Sequence, residues 1–147
     1  MQSTVSRNVS VATATISVNT PGESLIDITD RVRAFVDEVK ALHGSLTVFI
    51  RHTSASLTIQ ENADPDVLKD LIAALKKIAP EGASWWHQAE GPDDMPAHIK
   101  TMLTSCSLQI PVIEGEMALG TWQAIYLIEH RARPHQRQIV LQFVGTN

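Results

Sequence analysis

The chain has 147 residues, a formal net charge of −4, 44% hydrophobic residues and 19% charged ones. That length supports one folded unit with a sizeable core, and the acidic balance excludes a general nucleic-acid binder, which needs a basic surface. A single cysteine, Cys106, excludes an internal disulfide and a cysteine-based zinc site. No apolar run approaches the roughly 20 residues of a membrane helix, so no membrane association is expected. The opening residues Met1–Arg7 lack the basic-then-apolar order of a secretory signal, which makes a reducing cytoplasm the expected location.

In chain order, Val9 to Val18 is rich in Val, Thr and Ile and reads as a strand. Thr20-Pro21-Gly22-Glu23 reads as a turn, returning the chain at Ser24–Ile28 as the partner strand. The period then changes. Val32, Phe35, Val36, Val39 and Leu42 fall at helical spacing, with Thr29 or Asp30 as cap and Gly44 as the stop. Leu46–Thr58 reads as strand, broken once. Asp64-Pro65 starts a second helix with an apolar stripe of Val67, Leu68, Leu71, Ile72, Leu75 and Ile78, ended by Pro80.

Glu81–Met95 is loop-like and carries Trp85-Trp86. Asp93-Asp94-Met95-Pro96 opens a short third helix running to Leu103. Ser107–Ile113 is a strand, Glu114-Gly115 a turn, Met117–Glu129 a long strand, Arg131–Arg137 a basic loop and Gln138–Val144 a closing strand. Strands and helices do not alternate strictly. The expected fold is therefore α+β, a single domain over residues 1–147, with a largely antiparallel β-sheet packed with two main helices and one short helix.

Chemistry concentrates in Arg51–Asp66. His52 is followed by hydroxyls at Thr53, Ser54, Ser56 and Thr58, then by Gln60, Glu61, Asn62, Asp64 and Asp66. The plain alternative is a strand edge whose polar groups satisfy one another. His52, His87, His98 and His130 each border polar loops, and imidazole serves as metal ligand or as base near neutral pH. No tight zinc spacing is present, so a site would be assembled from separate segments. Asp94 and His98, four apart, share a helix face, which lets the carboxylate orient the imidazole or join it on a metal. Along the long strand, Gln123, Ile125, Leu127 and Glu129 point one way, which makes Gln123 and Glu129 polar residues on an otherwise apolar face. Gly120-Thr121 leaves backbone accessible to a ligand. Arg131, Arg133, His135 and Arg137 suit phosphate recognition, or simply a soluble hairpin tip.

Four motifs together carry a resemblance: His52-Thr-Ser-Ala-Ser-Leu-Thr-Ile-Gln-Glu-Asn-Ala-Asp-Pro-Asp, Glu90-Gly-Pro-Asp-Asp-Met-Pro-Ala-His-Ile-Lys, Gly120-Thr-Trp-Gln and Glu129-His-Arg. Over nearly the whole chain, most weakly before Ser24, the sequence resembles the YjbQ-like family, also called the secondary thiamine-phosphate synthase family. The resemblance implies a homotrimer with a polar site near the subunit interface. It also implies a weak or secondary ability to join a hydroxymethylpyrimidine diphosphate and a thiazole phosphate with release of pyrophosphate. It carries over His52, Glu61, Asn62, Asp64, His87, Asp94, His98, Gly120, Gln123 and Glu129; Gln88 departs from the Asn or Asp frequent after the histidine.

On that basis His52, His87 and His98 are the candidate ligands of a divalent ion, Zn or Mg. Glu61, Asn62, Asp94, Gln123 and Glu129 are the candidate catalytic residues. Ser54, Ser56, Gly120, Thr121 and Arg131 are the candidates for binding a phosphorylated small molecule. The three histidines should then converge. Glu129 should be buried and paired with a histidine, a metal or an arginine, and Glu129→Gln should change function more than stability. The competing expectation is a trimeric metal- or phosphate-ligand-binding protein without turnover.

Overall fold

The structure is a computed structural model that describes Ser3, Val5 and residues 8–147; most of the opening segment read above for a leader lies outside those residues. Among them the elements run β1 (Ser10–Thr20), β2 (Ser24–Asp27), α1 (Thr29–Glu38), β3 (His43–Ile50), β4 (Ala55–Glu61), α2 (Pro65–Ile78), α3 (Asp94–Leu103), β5 (Ser107–Ile113), β6 (Glu116–Met117), β7 (Gln123–Glu129) and β8 (His135–Thr146). The fold is α+β with antiparallel sheets, as the sequence pattern leads one to expect. A five-stranded sheet has the order β1-β8-β3-β5-β6, and a three-stranded sheet the order β2-β7-β4.

Alternation builds the core. Leu46, Val48 and Ile50 of β3, Ile139, Leu141 and Phe143 of β8, and Ile110 and Val112 of β5 all point inward. From the smaller sheet come Ala55, Leu57, Ile125 and Leu127, and α1 adds Val32, Phe35 and Val36. Each fully buried Leu, Ile or Phe contributes about 1.5–3 kcal/mol of burial free energy. Gly44 and Gly145 face each other where β3 and β8 meet; a Cβ on Gly145 would lie 2.2 Å from the His43 carbonyl and 2.5 Å from the Phe143 ring. Only glycine lets the strands close there.

Four features differ from the sequence expectations. First, β2 does not return beside β1. It pairs with β7 in the other sheet, because Gly22 takes φ +133 and carries the chain across against the Ala132 carbonyl. Second, α1 ends at Glu38, with Lys40 at φ 53 turning the chain, and Gly44 is a strand residue rather than the helix stop. Third, Met117–Glu129 is two strands, β6 and β7, divided by a loop at 118–122 that Gln123 holds by accepting from the Gly120 amide at 2.8 Å. Fourth, the basic segment ends before Arg137, which is buried inside β8.

Helix α2 begins as its Asp-Pro start dictates, with the Asp64 carboxylate accepting from the Asp66 amide at 2.9 Å. None of its residues is buried, and Ile78 stands exposed. The apolar stripe is only half-covered within one chain. Its polar tie is Lys76 to Glu23, at 2.7 Å.

No described helix is long and apolar enough to cross a membrane.

Candidate functional site

The β4–β7 ladder sets the geography. Ala55 faces Glu129 at one end and Glu61 faces Gln123 at the other. Six residue steps at about 3.4 Å separate the ends by roughly 20 Å. The candidate residues from the sequence divide between them.

At the Glu129 end, three segments converge: the loop before α3, the first turn of α3 and the stretch after β7. Asp94 is buried at the start of α3. Its Oδ1 accepts from Arg131 Nη1 at 2.5 Å. Its Oδ2 lies 2.7 Å from His87 Nε2 and 3.0 Å from His98 Nε2, with Glu90 Oε2 3.3 Å from the same His87 nitrogen. One ligand atom from each of His87, Glu90, Asp94 and His98 falls within 4.8 Å of all the others. A tetrahedral zinc with bonds of about 2.0–2.2 Å needs its ligand atoms roughly 3.4 Å apart. The pairs that meet at 2.7–3.3 Å are close to that spacing, and any pair nearer the 4.8 Å limit must close by about an ångström.

The other nitrogen of His98 is fixed as well. Nδ1 lies 3.0 Å from the Thr53 carbonyl, which can only accept, so Nδ1 carries the proton and Nε2 offers a lone pair in the neutral ring. This carbonyl–histidine arrangement is the one that orients metal-ligating imidazoles. The hydrogen bond to Asp94 raises the His87 pKa above its ordinary value against the lowering effect of burial. Burial pushes the Asp94 carboxyl up, but the His87 hydrogen bond and the Arg131 charge outweigh it and hold the carboxyl low.

All three guanidinium nitrogens of Arg131 are engaged within the chain. Nε donates to Asp93 Oδ2 at 3.0 Å, Nη1 to Asp94, and Nη2 to the Glu90 carbonyl at 2.7 Å; Asp93 Oδ2 also accepts from the Ala132 amide at 2.8 Å. It clamps the acidic loop in place and presents no free fork to a phosphate. Asp93 likewise serves this clamp and makes no side-chain cap on α3.

His52 stands outside the four-residue group. Its Nε2 accepts from the Gln138 amide at 2.8 Å, and Nδ1 faces Arg137 Nη1 at 3.4 Å. Burial and the Arg137 charge both lower its pKa. Its neighbourhood still supports the cluster, because the next residue supplies the carbonyl that fixes His98.

Beneath lies Glu129, with no exposure, forked by Arg137 at 2.5 and 2.7 Å and accepting from Thr20 Oγ1 and the Arg131 amide. Arg137 also donates to Ser54 Oγ at 3.0 Å. Ser56 is buried, 2.8 Å from His130 Nε2, with Thr104 closing the chain of hydroxyls. Ser54 and Ser56 thus serve internal bonds. His130 is neutral, its pKa lowered to about 4 by burial and by the Lys100 charge.

At the far end, Asn62, Gly120, Thr121 and Gln123 border a polar cavity of about 310 Å³ together with Asp27 and Arg33. Glu61 closes the strand pair opposite Gln123. Within one chain none of these reaches the histidine cluster.

Sequence reasoning missed three contributors. Glu90 was readable, since it follows His87 by three residues and precedes Asp94 by four. The Thr53 carbonyl and the burial of Arg137 depend on strand register, which no spacing encodes.

The fold and cluster define a class: a small α+β domain carrying a histidine–carboxylate group of metal-ligand chemistry on a loop-and-helix edge. A family model described as UPF0047 protein YjbQ-like matches residues 14–146, and the chain belongs to that family. A UPF0047 protein of Synechocystis is 49% identical over 129 residues, covering 87% of this chain and 88% of its own. UPF0047 protein YjbQ of Salmonella typhimurium is 42% identical over 135 residues, covering 90% and 96%. Among solved structures, an uncharacterised YjbQ/UPF0047-family protein from Clostridium acetobutylicum superposes with TM-score 0.83 at 39% identity, covering 88% of this chain and 98% of its own. A YbjQ-like protein of unknown function from Sulfolobus solfataricus superposes with TM-score 0.88 at 26% identity, covering 95% and 100%.

Proposed function

We propose that His87, Asp94 and His98, with Glu90 beside them, form a divalent-metal centre that receives a phosphorylated small molecule. One observation carries the reading. The proton on His98 Nδ1 points at the Thr53 carbonyl, so the Nε2 lone pair faces the Asp94 carboxylate at 3.0 Å. Two acceptors at that distance repel unless a second proton or a cation lies between them. Two imidazoles and a carboxylate suit zinc better than magnesium, which prefers oxygen ligands.

The reaction proposed for the centre is the joining of a hydroxymethylpyrimidine diphosphate to a thiazole phosphate. The carbon–oxygen bond to the diphosphate breaks as the bond to the thiazole forms, and pyrophosphate leaves. A cation in the cluster would neutralise the departing diphosphate. The chain's own part is to hold Asp94 rigid through Arg131 and to fix His98 through Thr53. We further propose that the working unit is a homotrimer. The half-covered α2 stripe and the outer face of the five-stranded sheet, where Thr13, Thr15, Thr47, Gln138, Val140 and Gln142 carry no charge, support an association of copies.

The second reading is a metal- and phosphate-binding protein without turnover. It is favoured by the engagement of Arg131, which leaves the leaving group no free guanidinium fork. The experiment that separates the two starts with protein purified without a histidine tag. Its zinc content is measured, followed by thiamine-phosphate formation from both precursors at substoichiometric enzyme. One bound zinc per chain with turnover, abolished in His98→Ala, supports the synthase reading. Zinc without turnover supports the second, and no zinc at all overturns both.

A further inference from the structure

Trp85 and Trp86 belong to no motif and to no part of the core. Trp86 is fully exposed, and Trp85 is half-buried with its Nε1 the one buried side-chain nitrogen or oxygen lacking a partner among the described residues. A hydrogen-bond donor left buried and a bare indole are both unfavourable, so this loop is not settled by contacts within the chain alone. The two rings border a shallow, mostly apolar hollow of about 380 Å³, completed by Ser84, His87 and Met95. Two of those residues tie the hollow to the cluster. His87 points Nε2 at Asp94, and Met95 directly follows Asp94 on α3.

We infer that this hollow is the specificity pocket of the proposed centre and that it takes a flat aromatic or heteroaromatic ring carried on the phosphorylated ligand. The inference rests on the metal-centre reading given above. The chemistry divides along the His87 ring. On one side lie the carboxylates and imidazole nitrogens, where a metal and its phosphate belong. On the other lie two indoles, a thioether and the Ser84 hydroxyl, with no formal charge among them. A ligand that fills both halves has a charged head and an unsaturated ring joined by a short link. An indole face accepts any such ring by stacking, whether or not it can hydrogen-bond. Met95 adds a polarizable wall that adapts to the ring's outline. Trp86 is then a specificity-determining residue, acting on affinity for the ring and not on the metal.

The test uses the full chain loaded with zinc and compares inorganic phosphate with benzyl phosphate, by calorimetry and by quenching of indole fluorescence. A single ring stack predicts benzyl phosphate binding roughly five- to one-hundred-fold tighter than phosphate. Trp86→Ala should remove that difference while leaving zinc and inorganic phosphate binding at the parental values. Trp86→Phe should keep most of it. Equal affinities for the two probes in the parent, with zinc bound, would overturn the pocket and leave the metal centre standing. So would a preference for benzyl phosphate that survives Trp86→Ala. Loss of native mass in Trp86→Ala would show the indole to be covered by a second copy, again overturning the pocket. A parent that binds no zinc removes the centre itself, and this inference with it.

Discussion

Glu129 and Arg137 close a two-point ion pair in the interior. Oε1 meets Nη2 at 2.5 Å, Oε2 meets Nε at 2.7 Å, and both side chains are almost wholly out of water. Glu129→Gln keeps the shape but leaves the guanidinium without a counter-charge, and breaking a buried pair in this way costs about 3–5 kcal/mol. The near-identical shape of Gln, which opens no cavity, underlies the expectation of little change in stability; the buried fork argues for a loss instead. Urea unfolding should show a clearly lower midpoint at unchanged slope. A parental midpoint would remove Glu129 from the list of residues that hold the fold.

Stability should fall on mild acidification, and His130 is the main cause. Its native pKa is lowered from 6.5 to about 4, so between those values the unfolded chain binds the proton and the folded one does not. Its contribution is intact above pH 6.5 and is lost as pH falls towards 4, by about 3 kcal/mol in all. Glu129 adds to this at lower pH. Burial raises its pKa, the Arg137 hydrogen bond more than offsets that, and its contribution fades as pH falls through the lowered native value. His130→Gln, which can keep a donor near Ser56, should flatten the profile between pH 6.5 and 4. A variant whose melting temperatures track the parent across that range would refute the assignment.

Zinc affinity should rise with pH. Asp94 holds the His87 pKa above its ordinary value, so protons compete with the metal until pH passes that raised value. Asp94→Asn removes both the negative ligand and the cause of the shift. Competition against a chromophoric chelator should show at least a hundred-fold weaker binding, on the order of 3 kcal/mol or more, given that even outer contacts are worth ten- to a hundred-fold. Binding that is equally tight from pH 5 to 8 would contradict the ligand set.

The assembly prediction concerns α2. Sedimentation equilibrium should return close to three times the 16.1 kDa chain mass. Leu71→Glu together with Leu75→Glu places charge on the half-covered stripe and should yield monomers that keep the parental circular dichroism. A parent sedimenting as a monomer at micromolar concentration would end the proposal.

Periodicity made much of this fold legible. The α2 stripe, the Asp64-Pro65 start and the strand composition of β3 and β5 each follow from local rules, and each element stands where the pattern puts it. The misplaced parts are those governed by distant contacts. Nothing near Ser24 states that its strand pairs with β7 in another sheet, and nothing near Arg137 states that its side chain reaches from one sheet to Glu129 on the other. The site was legible to the same degree. His87, Asp94 and His98 lie within twelve residues on one loop and helix, and they meet. His52, Asn62 and Gln123 were grouped with them by the family resemblance, and β-strand length keeps Asn62 and Gln123 at the far end of the β4–β7 ladder.

That separation makes the two ends of the ladder thermodynamically legible one at a time. Groups roughly 20 Å apart with no shared partner act additively within a chain. His98→Ala and Asn62→Ala, combined in one polypeptide, should therefore lose free energy of ligand binding as the simple sum of the single losses. Any shortfall or excess in that double-mutant cycle is a coupling that one chain's geometry does not supply. Its size would report how closely a neighbouring copy brings the amide-lined cavity to the imidazoles.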